Sequence, residues 1–101
     1  MLDTALFSSI ATQMMTGTEV EVAGKRLPVR RTSSQRLRMV KFTMDGQEYT
    51  AIEQNPRKPS RWGQLAREGH QVVQVKDNAT NRFLAVAVDG EMKEYARRHQ
   101  K

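Results

Sequence analysis

The sequence predicts an α+β domain: an N-terminal helix, a mainly antiparallel sheet or small barrel of five to seven strands built from hairpins, and one short helix inserted before the last three strands. Three observations carry this prediction. Leu2, Leu6, Ile10 and Met14 recur every four residues, with Phe7, Ala11 and Met15 beside them, as on one face of a helix. Two Asp-Gly dipeptides, Asp45-Gly46 and Asp89-Gly90, each separate two runs rich in apolar residues, and Asp-Gly suits the type I′ turn that matches strand twist. Between these hairpins a short helical pattern surrounds the only tryptophan, Trp62, with Pro59 and Ser60 before it and Gly69 after it.

The first helix is expected over residues 3–16, capped by Asp3 or Thr4 and ended by Gly17. Its second face, Thr4, Ser8, Ser9, Thr12, Gln13 and Thr16, is polar without charge. Solvated helix faces usually carry charge. This face therefore has two readings, a plain outer surface or a contact with a second subunit. After Gly17 the period changes to two. Glu19, Val20, Glu21 and Val22 alternate as a half-buried strand does. Residues 23–25 read as a turn. Residues 26–31 continue extended, with Leu27 and Val29 on one face. Pro28 cannot donate a ladder hydrogen bond, so this strand is expected at an edge. Residues 32–34 are a loop by composition.

The hairpin around Asp45-Gly46 joins residues 37–44 to 47–54. A two-residue turn pairs Met44 with Gln47, Phe42 with Tyr49 and Val40 with Ala51, and puts the last four on one core face. Met39 and Ile52 share the opposite face. Pro56 and Pro59 keep the next segment extended. Ser60 then caps a helix over residues 61–68, with Trp62, Leu65 and Ala66 on its apolar side, and Gly69 supplies the left-handed exit. A three-strand meander covers 71–95. Its middle strand, 82–88, is nearly apolar on both faces, as a central strand is. The tight turn at Asp89-Gly90 pairs Val88 with Glu91, Val86 with Lys93 and Leu84 with Tyr95. Residues 96–101 are a basic tail. Both helices are expected on one side of a curved sheet or against a small barrel.

One domain spans 1–101, because 101 residues leave no room for a second core. Its parts are the helix at 3–16, hairpins over 18–54, the short helix at 60–69, the meander at 71–95 and the tail. No cysteine is present, which excludes disulfides, thiol catalysis and cysteine-ligated metals, and fits the cytoplasm most easily. No apolar run approaches the length of a membrane span, and no basic n-region precedes an apolar core, so neither a span nor a secretory signal is expected.

The chemistry that the residues support is narrow. The two histidines are His70, at a helix exit, and His99, in the tail. His70 beside the carboxyl end of a helix is expected to serve the helix dipole. Asp45 and Asp89 are turn residues. Glu53 is the acid without an obvious local role. No cofactor or metal motif occurs, and no enzyme is expected. An enzyme built from Glu53, His70 and arginines would need partners that only folding could bring together. The Arg30-Arg31-Thr32-Ser33 string resembles a basophilic kinase site, a pattern common by chance.

Charge remains. The chain has 17 lysines and arginines against 11 acids, a net charge of +6, which favours acidic partners. Residues 25–41 hold seven basic residues and no acid: Lys25, Arg26, Arg30, Arg31, Arg36, Arg38 and Lys41. A second cluster, Arg57, Lys58 and Arg61, abuts Trp62. The candidate nucleic-acid contacts are therefore Arg30, Arg31, Arg36, Arg38, Arg57, Lys58, Arg61 and Trp62, since arginine forks suit phosphate and an indole can stack on a base. Trp62 has a second reading, as the core anchor of its helix. The leading expectation is a small basic non-enzymatic binding module that contacts nucleic acid through an arginine-rich face with little sequence specificity, an acidic protein being the other partner that its charge allows. The alternative is a protein–protein module that self-associates through residues 3–16 and has no nucleic-acid role.

Overall fold

The structure, a computed structural model, describes residues 3–95. Leu2, the basic tail and His99 lie outside the described residues. Ten elements follow in order: α1 (Thr4–Thr16), β1 (Glu19–Val22), β2 (Lys25–Pro28), β3 (Arg30–Arg31), β4 (Arg38–Met44), β5 (Gln47–Glu53), α2 (Arg61–Arg67), β6 (Val72–Asp77), β7 (Arg82–Val88) and β8 (Glu91–Tyr95). β3 to β8 form one six-stranded antiparallel meander in chain order, and β1 and β2 form a separate hairpin. The fold is thus α+β with open sheets. The main sheet has six strands, within the expected five to seven, and the β1–β2 hairpin adds two more among the described residues. The expected strand over 26–31 divides at Val29, whose N–H donates to the Thr18 carbonyl at 2.9 Å. Beyond Val29 the chain leaves β1 and pairs Arg30 with Met39 on β4. Pro28, with no N–H to give, ends the first piece at an edge.

The main core lies between the meander and a layer made of α1 and the β1–β2 hairpin. Phe7, Ile10, Ala11 and Met14 of α1 are buried there. Val20 and Val22 join them, facing Val40, Phe42, Tyr49, Ala51, Val73, Val75, Ala85 and Ala87 of the sheet. α1 begins as its sequence requires: the Asp3 carboxylate accepts from the Ala5 and Leu6 N–H groups.

The central hairpin has the expected register, with Met44 opposite Gln47, Phe42 opposite Tyr49, Val40 opposite Ala51 and Met39 opposite Ile52. The Phe42 and Tyr49 rings stack at 5.5 Å between centroids. Asp45 and Gly46 both have positive φ, 54° and 75°, the backbone of a type I′ turn. A β-branched residue tolerates that region poorly. Gly46→Val should therefore destabilise the domain by about 1–2 kcal/mol or more. Urea unfolding checks this, and an unchanged midpoint would mean that the turn does not set the register.

The two helices do not share a side of the sheet. β7 is apolar on both faces, and the second face carries its Val86 and Val88 with Val72 of β6 under Trp62, Leu65 and Ala66 of α2. Two apolar faces need two covering layers, so α2 lies on the face opposite α1. It is capped by Ser60, whose hydroxyl accepts from the Gly63 N–H at 3.2 Å. It ends in a Schellman arrangement: Gly69 donates to the Ala66 carbonyl and His70 to the Leu65 carbonyl, each at 3.1 Å, with Gly69 at φ 100°.

Two bulges correct the expected meander. One lies at Val75/Lys76, so Val75 pairs with Ala85 but Lys76 pairs with Phe83. Leu84 is the extra residue; it packs on the main core, and Phe83 is left exposed. The other lies between Val86 and Ala87. Val88 pairs with Glu91 as expected, but Val86 then faces Glu94 and Ala85 faces Tyr95, not Val86 with Lys93 and Leu84 with Tyr95. Lys93 is the inserted residue of β8, and a bulge of this kind shifts every pairing beyond it.

Candidate nucleic-acid interface

The α2-bearing face of the meander is only partly covered. Opposed residues in antiparallel strands share a face, so the register defines rows across it. One row runs Arg30, Met39, Ile52, Gln74, Val86, and the next runs Lys41, Thr50, Lys76, Phe83. Neither row holds an acid from β3 to β7; the first meets Glu94 only at β8. Arg30, Lys41 and Phe83 are exposed, while Met39, Ile52, Gln74 and Lys76 are half-buried. The α2 corner adds Lys58, Arg61 and Trp62 to this surface.

The two basic clusters meet at one end of the sheet. Arg36 and Arg57 line a common groove with Ser34, Asn55 and Pro56. Lys58, from the same loop as Arg57, lines a neighbouring cleft with Gln54, Ser60, Trp62, Gln74 and Phe83. The loop that carries Arg57 and Lys58 is held from behind. Arg67 Nη1 donates to the Pro56 carbonyl and, at 2.9 Å, to the Lys58 carbonyl, and the Asn55 side chain accepts from the Arg57 N–H at 2.9 Å.

The other candidates lie apart from the open face. Arg31 pairs with Arg38 on the α1 side of the sheet. Its guanidinium donates to the Arg36 carbonyl at 2.8 Å. Arg38 is half-buried, with Nη1 3.8 Å from the Met15 sulfur of α1. Strand alternation explains this split: neighbours in the Arg30-Arg31 pair point to opposite faces. Arg61 lies over the Trp62 ring, 4.4 Å from its centroid, in cation–π geometry. Trp62 is half-buried. It packs on Val72, Val86 and Val88 and also borders open clefts, so anchor and surface are combined in one side chain.

Sequence reasoning missed Gln74 and Phe83 as neighbours of Trp62 in one cleft, and Lys41 and Lys76 as basic residues of the same face. Strand alternation could have grouped Lys41 with Arg30, but Phe83 depends on a bulge.

Sequence reasoning also missed a His70–Asp89 pair. His70 Nδ1 lies 2.7 Å from Asp89 Oδ2, and the Gln71 N–H donates to Asp89 Oδ1 at 2.9 Å. These residues are 19 apart in sequence. They line an open cleft of about 490 Å³ with Arg61, Trp62, Leu65 and Lys93. Among the described residues no serine, threonine or cysteine lines that cleft. The Asp89 carboxyl is held below its ordinary value, first by the Gln71 N–H and then by His70. A lowered folded-state pKa adds stability that is present above the ordinary carboxylate range and is lost as pH falls through the lowered value. Asp89→Asn should therefore flatten the fall of melting temperature below about pH 4. Identical acid limbs in the two proteins would remove Asp89 from the acid sensitivity of the fold.

Glu53 also has a local role, since its carboxylate accepts the Arg38 N–H at 3.0 Å where β4 begins. It and His70 thus have separate partners. Among the described residues no group of three or more metal-ligating side chains occurs, and no helix is long and apolar enough to cross a membrane. The neutral face of α1 is partly used within the chain. Gln13 donates to the Glu21 carbonyl and accepts the Glu21 N–H, at 3.3 and 2.9 Å. Thr12 lies against Gly90 in the β7–β8 turn. Comparison with protein-family models, curated proteins and solved structures finds no match to this chain. Fold and surface together define a small basic α+β domain with a half-open sheet face.

Proposed function

We propose that this domain is a cytoplasmic, non-enzymatic module that binds nucleic acid through phosphate contacts, with little sequence preference. The observation that carries the reading is the pair of rows without acids across β3 to β7, joined at one end by Lys58, which shares a cleft with Gln74 and Phe83 of those rows. Arg30, Lys41 and Lys76 on that face, with Lys58 and Arg61 from the α2 corner, form a positive surface for a polyanion. Arg36 and Arg57 extend it around the sheet end. Arg31 and Arg38 are left as contributors to the general field, since their side chains have partners on the other side.

Phosphate binding releases condensed counterions, so affinity should fall steeply with salt, by about 0.9 log units per log unit of salt for each contact on duplex DNA and about 0.7 on single strands. Replacing Lys41 and Lys76 with Gln should flatten that slope by roughly one to two units and affect different sequences alike. Equilibrium titrations across a salt series test this. Absence of binding to DNA and RNA at low salt, or a slope unmoved by the double substitution, would overturn the reading.

A further inference from the structure

The cleft between the start of α2 and β7 has a composition that a phosphate surface alone does not require. Two aromatic side chains border it, Trp62 from α2 and Phe83 from β7. Phe83 is 47% exposed, a large apolar ring in water next to Lys76 on the neighbouring strand. The cleft measures about 320 Å³, within the range of small-ligand sites. Gln54 also lines it and is only 6% exposed. The Gln54 Nε2 donates to the Asn55 carbonyl at 3.1 Å, which fixes the amide orientation. Its Oε1 is buried and has no hydrogen-bond partner among the described residues. A buried acceptor left unpaired is destabilising by about 1–3 kcal/mol, a cost that a donor entering beside Gln54 would relieve once the side chain turns toward the cleft.

We propose that this cleft is a subsite for one unpaired base of a single-stranded nucleic acid, stacked on Phe83 and edged by Trp62, with an N–H of its pairing edge donated to Gln54 Oε1. The inference rests on the nucleic-acid reading above and makes it specific to single strands. Every unpaired base presents at least one N–H on its pairing edge, and a duplex has those groups engaged. Stacking tolerates any base, because each has a π-face. The Gln74 amide, half-buried in the same cleft, can meet a second polar group of the base. Lys58 lines the cleft, Lys76 pairs with Phe83 across the strands and Arg61 lies over Trp62, so charge stands near the cleft for the phosphates on either side. A strand is therefore favoured over a free nucleotide, which has one phosphate group to offer.

Trp62 is the only tryptophan, so its fluorescence reports on the cleft directly. The test titrates the full chain with a short oligodeoxythymidylate strand, a duplex of equal length and thymidine monophosphate. The strand should quench Trp62 and bind more tightly than the other two. Phe83→Leu should weaken strand binding by about five- to a hundredfold, the equivalent of one base stack, and Phe83→Tyr should keep it. Gln54→Met should weaken it as well, while the salt slope stays as in the native protein. Melting curves confirm that each variant is folded; Phe83, being exposed, can be changed without emptying the core. If the strand binds Phe83→Leu as tightly as the native protein, leaves Trp62 fluorescence unchanged and still responds to salt, the base subsite is wrong and the phosphate surface stands. If no strand or duplex binds at low salt, both fail. If thymidine monophosphate binds as tightly as the strand, the site is one for free nucleotides and the strand assignment is overturned.

Discussion

Gly63→Ala is expected to destabilise the domain by about 2–3 kcal/mol, the upper part of the range for overpacking a close contact. The direction opposes helix propensity, which favours alanine over glycine by about 1 kcal/mol in a helix interior. Gly63 is buried in α2, and a Cβ there would stand 2.1 Å from the Lys58 carbonyl oxygen and 3.0 Å from its carbon. The obstacle is backbone, not the end of a flexible side chain. That backbone cannot retreat easily. Pro56 and Pro59 restrict it on both sides, and Arg67 holds the Lys58 carbonyl by a hydrogen bond. The methyl group would separate α2 from residues 55–60 and disturb the cleft that Lys58 and Trp62 share. Urea unfolding measures the first effect, and the emission maximum of Trp62 reports the second. A variant as stable as the native protein, or more so, would mean that the loop yields and that the contact does not hold the α2 corner together.

Phe7→Ala should have the largest effect, about 3–5 kcal/mol. Phe7 is fully buried and lies in the main core between α1 and the sheet. Its removal takes away a large apolar surface and leaves a cavity that neighbours such as Ile10, Met14 and Val40 fill only in part. A domain of this size holds about 5–15 kcal/mol in total, so the variant would lose a large share and melt at least about 12 °C lower. Phe7→Leu should retain most of the stability, because it keeps much of the volume. A small loss in Phe7→Ala would show that α1 is a loose cover and that the β1–β2 hairpin alone closes the core.

Much of the candidate surface was legible as charge and not as geometry. The seven bases in residues 25–41 were visible, but their division between two faces follows from Arg30 pairing with Met39 and Arg31 with Arg38. The cluster at 57–61 was visible too. What it adjoins was not, because Phe83 and Gln74 come from strands far along the chain. Phe83 looked like one residue of a strand buried on both sides. The bulge at Val75/Lys76 turned Leu84 to the core and left Phe83 outside. Trp62 looked like an anchor and is one by half.

By itself the sequence determined the elements whose causes are local. Asp3 and Ser60 cap helices with their own side chains. Asp45-Gly46 and Asp89-Gly90 set tight turns through positive φ, and the first of these carried the whole register of its hairpin. Only the tertiary structure decided what depends on distant partners. It split one expected strand in two at Val29. It put α2 opposite α1, since an apolar stripe says that a helix must be covered and not by which sheet face. It joined His70 to Asp89 and left Gln54 Oε1 buried without a partner among the described residues, beside a cleft that Trp62 and Phe83 border. Turns and caps are settled by a few neighbouring dihedrals, whereas faces, bulges and clefts are settled by which surfaces exclude water together.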